Sequence, residues 1–144
     1  MTAASLRQFI DGRWRPGAGA DLRSVNPTHP DTVVAQGSCA ATADVEDAVG
    51  AAARAQPDWA ATPIHQRGAV LAAAAAVVDT HAEDWGLELT VEEGKTRVEG
   101  VGEVRRAAQI LRYYAAEGDR QAGEIYASPR AGEQILLTRK PMGV

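Results

Sequence analysis

The sequence predicts a mixed α and β fold, of the α+β class if the chain is taken alone. Three observations indicate it: β-prone runs lie near both ends, four segments with helical periodicity fill the middle, and turn-forming residues separate them. The predicted elements are a β-hairpin, two strands, four helices and a protruding strand pair. At 144 residues, the chain is long enough to form one domain with its own core.

A β-hairpin is predicted at the amino-terminal end of the chain. Residues 8–15 form two short β-prone runs around Asp11-Gly12, a dipeptide that tolerates the positive φ angles of a tight turn. Two strands follow, the first over residues 24–27 and the second over residues 32–40. Residues 28–31 between them are interpreted as a turn.

The first two helices are predicted from their caps and stops. Thr42 is expected to cap the first helix and Pro57 to end it. Thr62 is expected to cap the second, with Pro63 at the first helical position. The apolar stripes predicted to be buried are Val45, Ala48, Val49, Ala52 and Ala53, followed by Val70, Leu71, Ala74, Val77 and Val78.

The third and fourth helices meet within residues 92–114. A capping box of Thr80 and Glu83 is predicted to start the third helix, and Gly94 to end it. The fourth helix is predicted to start at Thr96, with Glu99 completing a second capping box. Its apolar stripe, which requires a partner surface along its whole length, consists of Val101, Val104, Ala108, Leu111 and Ala115. The strand pair then comprises residues 124–128 and 133–140.

Composition argues against several classes of partner. Fifteen Lys and Arg against nineteen Asp and Glu give a net charge of −4, and the basic residues are scattered, so no nucleic-acid partner is expected. The longest apolar run, residues 69–78, is too short to cross a membrane, and no membrane partner is expected. The single cysteine, Cys39, cannot form an internal disulfide. We expect a buried thiol and a reducing, cytoplasmic setting.

The sequence contains no motif that identifies an active site. Residues 94–96 read Gly-Lys-Thr, the final letters of a phosphate loop, but position 89 is Leu where that loop requires Gly. Gly100 and Gly102 lie inside a helical stripe, so they are expected to permit close helix packing and not to bind a dinucleotide. The three histidines lack the spacing of metal ligands.

Five motifs, taken together in their order and spacing, resemble the aldehyde dehydrogenase superfamily. They are Phe9-Ile10-Asp11-Gly12-Arg13-Trp14, Val25-Asn26-Pro27, Glu92-Glu93-Gly94-Lys95-Thr96, Ala115-Ala116-Glu117 and Thr138-Arg139-Lys140-Pro141-Met142-Gly143-Val144. The resemblance extends from about Gln8 to the last residue. Residues 99–104 and Tyr113-Tyr114 make the chain most similar to the branch that oxidises semialdehydes such as 2-oxoglutarate semialdehyde.

The resemblance implies an α/β fold in which residues 1–144 are the amino-terminal part of a Rossmann-like NAD(P)-binding domain. It also implies that residues 124–140 are strands directed toward the oligomerisation sheet. The family oxidises aldehydes with NAD or NADP by thiolate attack, hydride transfer and thioester hydrolysis. Its nucleophilic Cys, general-base Glu, cofactor-contacting Lys and Pro-Trp-Asn segment would lie beyond Val144, and Cys39 does not match the nucleophile. No catalytic or cofactor-binding residue is therefore expected in this chain.

The resemblance maps one candidate site onto this sequence. Many family members hold a monovalent cation with main-chain oxygens near the Val-Asn-Pro strand and an acid that precedes the Gly-Lys step. Ser24, Val25 and Glu92 occupy those positions here, although many relatives have Asp in place of Glu92. The family site also uses residues outside this chain.

Two hypotheses for function follow. The first is a fragment of an aldehyde dehydrogenase that does not turn over alone, whereas the complete enzyme would act on an aldehyde as a homo-oligomer. The alternative is a non-catalytic helical interaction module, derived from the family, that binds a partner through the stripe of the fourth helix. For a fragment we expect low stability, because the stripe would face a surface that is absent.

Overall fold

The computed structural model describes residues 3–120 and 123–144. The helices are α1 Thr42–Ala61, α2 Ile64–Thr80, α3 Ala82–Glu93 and α4 Arg97–Ala115, and a 3-10 turn, Ala116–Asp119, follows α4. The strands are β1 Ala4–Ser5, β2 Gln8–Ile10, β3 Arg13–Arg15, β4 Asp21–Asn26, β5 His29–Ser38, β6 Gly123–Ala127 and β7 Gln134–Thr138. The predicted hairpin, four helices and terminal strand pair are therefore confirmed.

Within the described residues, the strands form three small sheets. β4 and β1 flank β5, antiparallel and parallel to it respectively. β2 pairs with β3 through a turn in which Asp11 has φ +52° and Gly12 has φ +75°, as the Asp-Gly dipeptide predicts. β6 and β7 form a separate antiparallel ribbon. β1 was not predicted, because two residues are too few to show a period.

The turn between β4 and β5 is shorter than predicted. The side-chain oxygen of Asn26 accepts hydrogen bonds from the backbone N–H groups of Thr28 (2.9 Å) and His29 (3.2 Å). This Asx-type turn reverses the chain within two residues. β5 consequently begins at His29, three residues before its predicted start, and it ends at Ser38.

Helix α1 differs from its prediction in its stop, its cap and its buried face. It continues through Pro57 to Ala61, since the carbonyls of Asp58 and Trp59 still accept from the N–H of Thr62. A proline removes one N–H but does not prevent the next turn from closing. The predicted stripe is largely exposed, because no helix in the described part of the chain covers α1; Val45 and Val49 are 53% and 58% exposed.

The predicted threonine caps of α1, α2 and α3 are wrong. The N-cap residues are Ala41, Pro63 and His81, respectively. The Thr62 and Thr80 hydroxyls instead donate to carbonyls four residues earlier, at 2.8 and 2.9 Å. Thr hydroxyls can bond backward along a helix as well as forward at its start, and here the short connections leave them on the preceding helix.

The core lies where α4 packs against α2 and α3. Ala75, Ala82, Val101 and Ala108 are all buried there. A Cβ placed on Gly100 would lie 2.3 Å from the carbonyl oxygen of Gly86, so the α3 and α4 backbones are in direct contact. The expectation that the α4 stripe faces an absent surface is therefore wrong, since α2 and α3 cover it. Gly102 has open space around it and plays no part in this packing.

Within residues 3–120 and 123–144, no helix has both the length and the apolar character needed to cross a membrane.

Candidate functional site

The carboxyl end of α3 is held against the turn that follows β4. Gly94 ends the helix in the left-handed conformation, with φ +73°. A Cβ on Gly94 would lie 2.7 Å from Cγ of Pro27, so only glycine fits both the backbone angle and the contact. This packing places the last turn of α3 beside the end of β4.

Ser24 and Glu92 meet at this junction. The Ser24 hydroxyl donates to Oε1 of Glu92 at 3.1 Å, which joins residues that are 68 positions apart. Val25 follows Ser24 in β4, and the strand register shifts on both sides of it, so the ladder is irregular there. The structure thus brings two of the three candidate cation ligands into contact, with Val25 adjacent in β4.

The donor set suits a weakly held monovalent ion better than a transition metal. Glu92 supplies one carboxylate and Ser24 one hydroxyl, which are hard oxygen donors. Among the described residues, no group of three or more His, Cys, Asp or Glu side chains is arranged to hold a metal. Any cation at Ser24 and Glu92 would therefore need main-chain oxygens to complete its coordination.

A groove with a volume of about 530 Å³ lies beside Glu92. Its residues from the sheet side are apolar, and its residues from α3 include carboxylates spaced one helical turn apart. The groove is lined by Ala4, Leu6, Val34, Ala35, Asp84, Leu87, Glu88 and Glu92. An acidic rim of this kind attracts cations and repels anionic ligands.

Lys95 is committed to carboxylates and does not act as the lysine of a phosphate loop. Its ammonium group lies 2.6 Å from Glu93 and 2.7 Å from Glu103. The hydrogen bond to Glu103, followed by the one to Glu93, raises the pKa of Lys95 above its usual value. The segment Gly94-Lys95-Thr96 is therefore a helix junction.

The capping box at the start of α4 is confirmed. The Thr96 N–H donates to Oε2 of Glu99 at 2.9 Å, and the Glu99 N–H donates to the Thr96 hydroxyl at 3.3 Å. The bond from the Thr96 backbone lowers the pKa of Glu99, with a further contribution from the Thr96 hydroxyl. This reciprocal pair fixes the direction in which α4 leaves the junction.

Asp44, in the first turn of α1, is a buried anchor. Its Oδ2 accepts from the N–H groups of Ala18 and Ala41, each at 2.9 Å, and Arg15 lies 3.2 Å from Oδ1. The bond from Ala18 is the main reason that the pKa of Asp44 is lowered. The available signal was its position three residues after Ala41, where a carboxylate reaches back to the cap.

Cys39 is exposed, so the prediction of a buried thiol is wrong. Because β5 ends at Ser38, Cys39 lies in the connection to α1 and not on a sheet face. Its backbone N–H donates to Ala20 and its carbonyl accepts from Gly19, both at 2.8 Å. These bonds position its main chain only.

The fold described above matches part of the structures of aldehyde dehydrogenases. The aldehyde dehydrogenase family model matches residues 14–144, and the chain belongs to this family. Its helices and small sheets superpose on part of the crystal structure of a NAD-dependent benzaldehyde dehydrogenase from Corynebacterium glutamicum, with a TM-score of 0.80 and 33% identity. That superposition covers 89% of this chain and 28% of the other, which confirms an α/β fold that matches part of the other chain.

Two curated relatives define the resemblance further. The 2,5-dioxopentanoate dehydrogenase of Saccharolobus solfataricus is 29% identical over 95% of this chain and 29% of its own length. The alpha-ketoglutaric semialdehyde dehydrogenase of Bacillus subtilis is 35% identical over 94% of this chain and 28% of its own length. The chain thus spans less than a third of the length of these relatives.

Proposed function

We propose that this chain is the amino-terminal part of an NAD(P)-dependent aldehyde dehydrogenase that oxidises an aldehyde or semialdehyde to a carboxylate. The observation that carries the proposal is the family match over residues 14–144, combined with coverage of only 28–29% of the two curated relatives. The reacting thiolate, the general base and the cofactor contacts belong to the remainder of such an enzyme. The role of this chain is to form the helical layer and strands around them.

For the substrate, we propose a semialdehyde that carries one carboxylate group in addition to the aldehyde. The support is that the relatives from S. solfataricus and B. subtilis carry the names 2,5-dioxopentanoate dehydrogenase and alpha-ketoglutaric semialdehyde dehydrogenase. For the cofactor, we propose NAD or NADP in the complete enzyme, supported by the NAD-dependent benzaldehyde dehydrogenase of similar fold.

A steady-state assay tests the proposal directly. The purified 144-residue chain, incubated with 2-oxoglutarate semialdehyde and either NAD or NADP, is expected to form no reduced cofactor. The complete B. subtilis relative provides the positive control. Turnover by this chain would contradict the proposal, and its loss in a Cys39→Ala variant would identify Cys39 as the nucleophile.

We further propose that Ser24, Val25 and Glu92 contact a monovalent cation in the complete enzyme. The contact between Ser24 and Glu92 and the irregular ladder at Val25 support this assignment. In the complete enzyme, potassium is expected to raise the melting temperature, and Glu92→Gln is expected to remove that increase. Glu88→Gln, one turn earlier on α3, is the matched control. An unchanged potassium effect in Glu92→Gln would exclude the carboxylate as a ligand.

We also propose that residues 124–140, which comprise most of β6 and all of β7, join the oligomerisation sheet of a homo-oligomer. Support comes from the ribbon's exposed apolar side chains: Ile125 is 71% exposed and Leu136 is 63% exposed. They face each other across the pair, so an apolar patch extends over both strands. Leu136→Asp in the complete enzyme is expected to produce smaller assemblies by native mass spectrometry, and an unchanged assembly would contradict the assignment.

A further inference from the structure

A second pocket, with basic lining, lies where the start of α2 meets the segment after β7. Its volume is about 370 Å³. The lining residues are Ile64, Arg67, Glu117, Arg139, Lys140 and Pro141. None of them takes part in the contact between Ser24 and Glu92, so this pocket is a separate feature of the fold.

The positive charge of this pocket is not compensated by the protein. Among the described residues, Glu117 is the one carboxylate in its lining, and it already accepts hydrogen bonds from Arg120, at 2.5 Å, and from Arg139. These bonds, that from Arg120 foremost, lower the pKa of Glu117 and keep it ionised. Arg67 and Lys140 form no ion pair with any residue in the described part of the chain. Two positive charges are therefore left over at the pocket wall.

The Arg67 side chain also carries an unsatisfied donor. Its Nε is buried and has no hydrogen-bond partner among the described residues. A buried N–H without an acceptor is unfavourable, and such groups are rare in folded proteins. Arg67 also lies in the first turn of α2, a helix of 17 residues. The positive end of the helix dipole thus adds to the charge of the guanidinium group.

We propose that this pocket binds an oxyanion of the phosphate class, held by Arg67 and Lys140. A guanidinium group matches the geometry of two phosphate oxygens, and an ammonium group adds a point charge. A phosphate group carries about −1.5 to −2 charges at neutral pH, which offsets most of the two uncompensated positive charges; a single carboxylate would leave one of them unmatched. The pocket has room for more than the anion, so the phosphate can be free or part of a phosphate monoester.

The binding test uses the 144-residue chain with inorganic phosphate and with adenosine monophosphate as probes, at constant ionic strength set with chloride. Titration calorimetry is expected to detect saturable phosphate binding. Arg67→Gln and Lys140→Gln are each expected to weaken it tenfold or more. Arg130→Gln removes the same charge at a side chain that is 80% exposed in the β6–β7 turn, and it is expected to leave binding unchanged.

The two probes distinguish the sources of the phosphate group. Equal affinity for the two probes indicates a site for free phosphate. At least tenfold tighter binding of adenosine monophosphate, with no binding of adenosine, indicates a site for a phosphate monoester. Either result supports the proposal. It is overturned if no binding occurs, or if Arg130→Gln weakens binding as much as Lys140→Gln does. Because Lys140 has no partner in the described chain, Lys140→Gln keeps the test valid if Arg67→Gln fails to fold, as circular dichroism would show.

Discussion

Replacing Gly100 by alanine tests whether the crossing of α3 and α4 is as close as the structure indicates. The new Cβ would lie 2.3 Å from the carbonyl oxygen of Gly86 and 2.7 Å from the Thr90 hydroxyl. A carbon atom approaches a carbonyl oxygen to about 3.3–3.6 Å even in favourable contacts. The two helices would therefore have to separate by roughly 1 Å, because a backbone carbonyl cannot move aside as a flexible side chain can.

The cost of this separation follows from two opposing effects. Overpacking a well-packed core costs about 1–3 kcal/mol, and a clash with backbone belongs in the upper half of that range. Alanine regains about 1 kcal/mol of helix propensity relative to glycine. The net expectation is that Gly100→Ala lowers the free energy of unfolding by about 1–2 kcal/mol.

Gly102→Ala is the matched control, since it makes the same chemical change two residues further along α4. Nothing lies within 4 Å of the position of its Cβ, so the variant is expected to gain about 0.5–1 kcal/mol. The assay is urea unfolding followed by circular dichroism. The slope of the unfolding free energy against urea concentration is compared between the variants to exclude a change in the denatured state. The reasoning is refuted if Gly100→Ala is as stable as Gly102→Ala.

Three further predictions concern the other local features. Thr96→Ala is expected to lower the free energy of urea unfolding by about 1 kcal/mol, because it removes the cap of α4, whereas Thr96→Ser should cost only a few tenths; equal losses would argue against a hydroxyl cap. Pro57→Ala is expected to stabilise the chain by roughly 2 kcal/mol. The gain from the restored helical N–H exceeds the loss that arises because alanine gives the unfolded chain more conformational entropy. An unchanged thermal melt would contradict this. The hydrogen bonds that lower the pKa of Asp44 stabilise the fold above the usual value of 3.8, and this stability is lost as the pH falls through the lower folded value. Asp44→Asn should therefore flatten the acid side of the stability profile, and a parallel profile would contradict the mechanism.

Features that depend on a few adjacent residues were predicted correctly from the sequence. Gly94 ends α3, Asp11-Gly12 turns the hairpin, and Thr96 and Glu99 cap α4, because each depends on local backbone chemistry. The predicted capping roles of Thr62 and Thr80 were wrong because they depend on more than local backbone chemistry. A threonine hydroxyl can serve either of two helices, and the direction of the connecting chain, which is a tertiary property, decides between them.

The candidate sites likewise depend on tertiary structure, which local sequence does not predict. The contact between Ser24 and Glu92 joins residues 68 positions apart, and only the family resemblance pointed to it, since neither residue carries a local signal. The pocket of Arg67 and Lys140 had no sequence signal at all, because scattered basic residues suggest a solvated surface. Periodicity also failed for α1, where it predicted a buried face that no other helix covers.

The β6–β7 ribbon has a practical consequence for work on this chain. Among the described residues it is a sheet of two strands, and the outer edge of β7 has backbone groups outside the pairing, beside apolar side chains such as Ile135 and Leu137. Such edges can pair with any other extended chain. At high concentration the chain would therefore self-associate through β6 and β7, and charged substitutions on this ribbon are the rational way to keep it monodisperse.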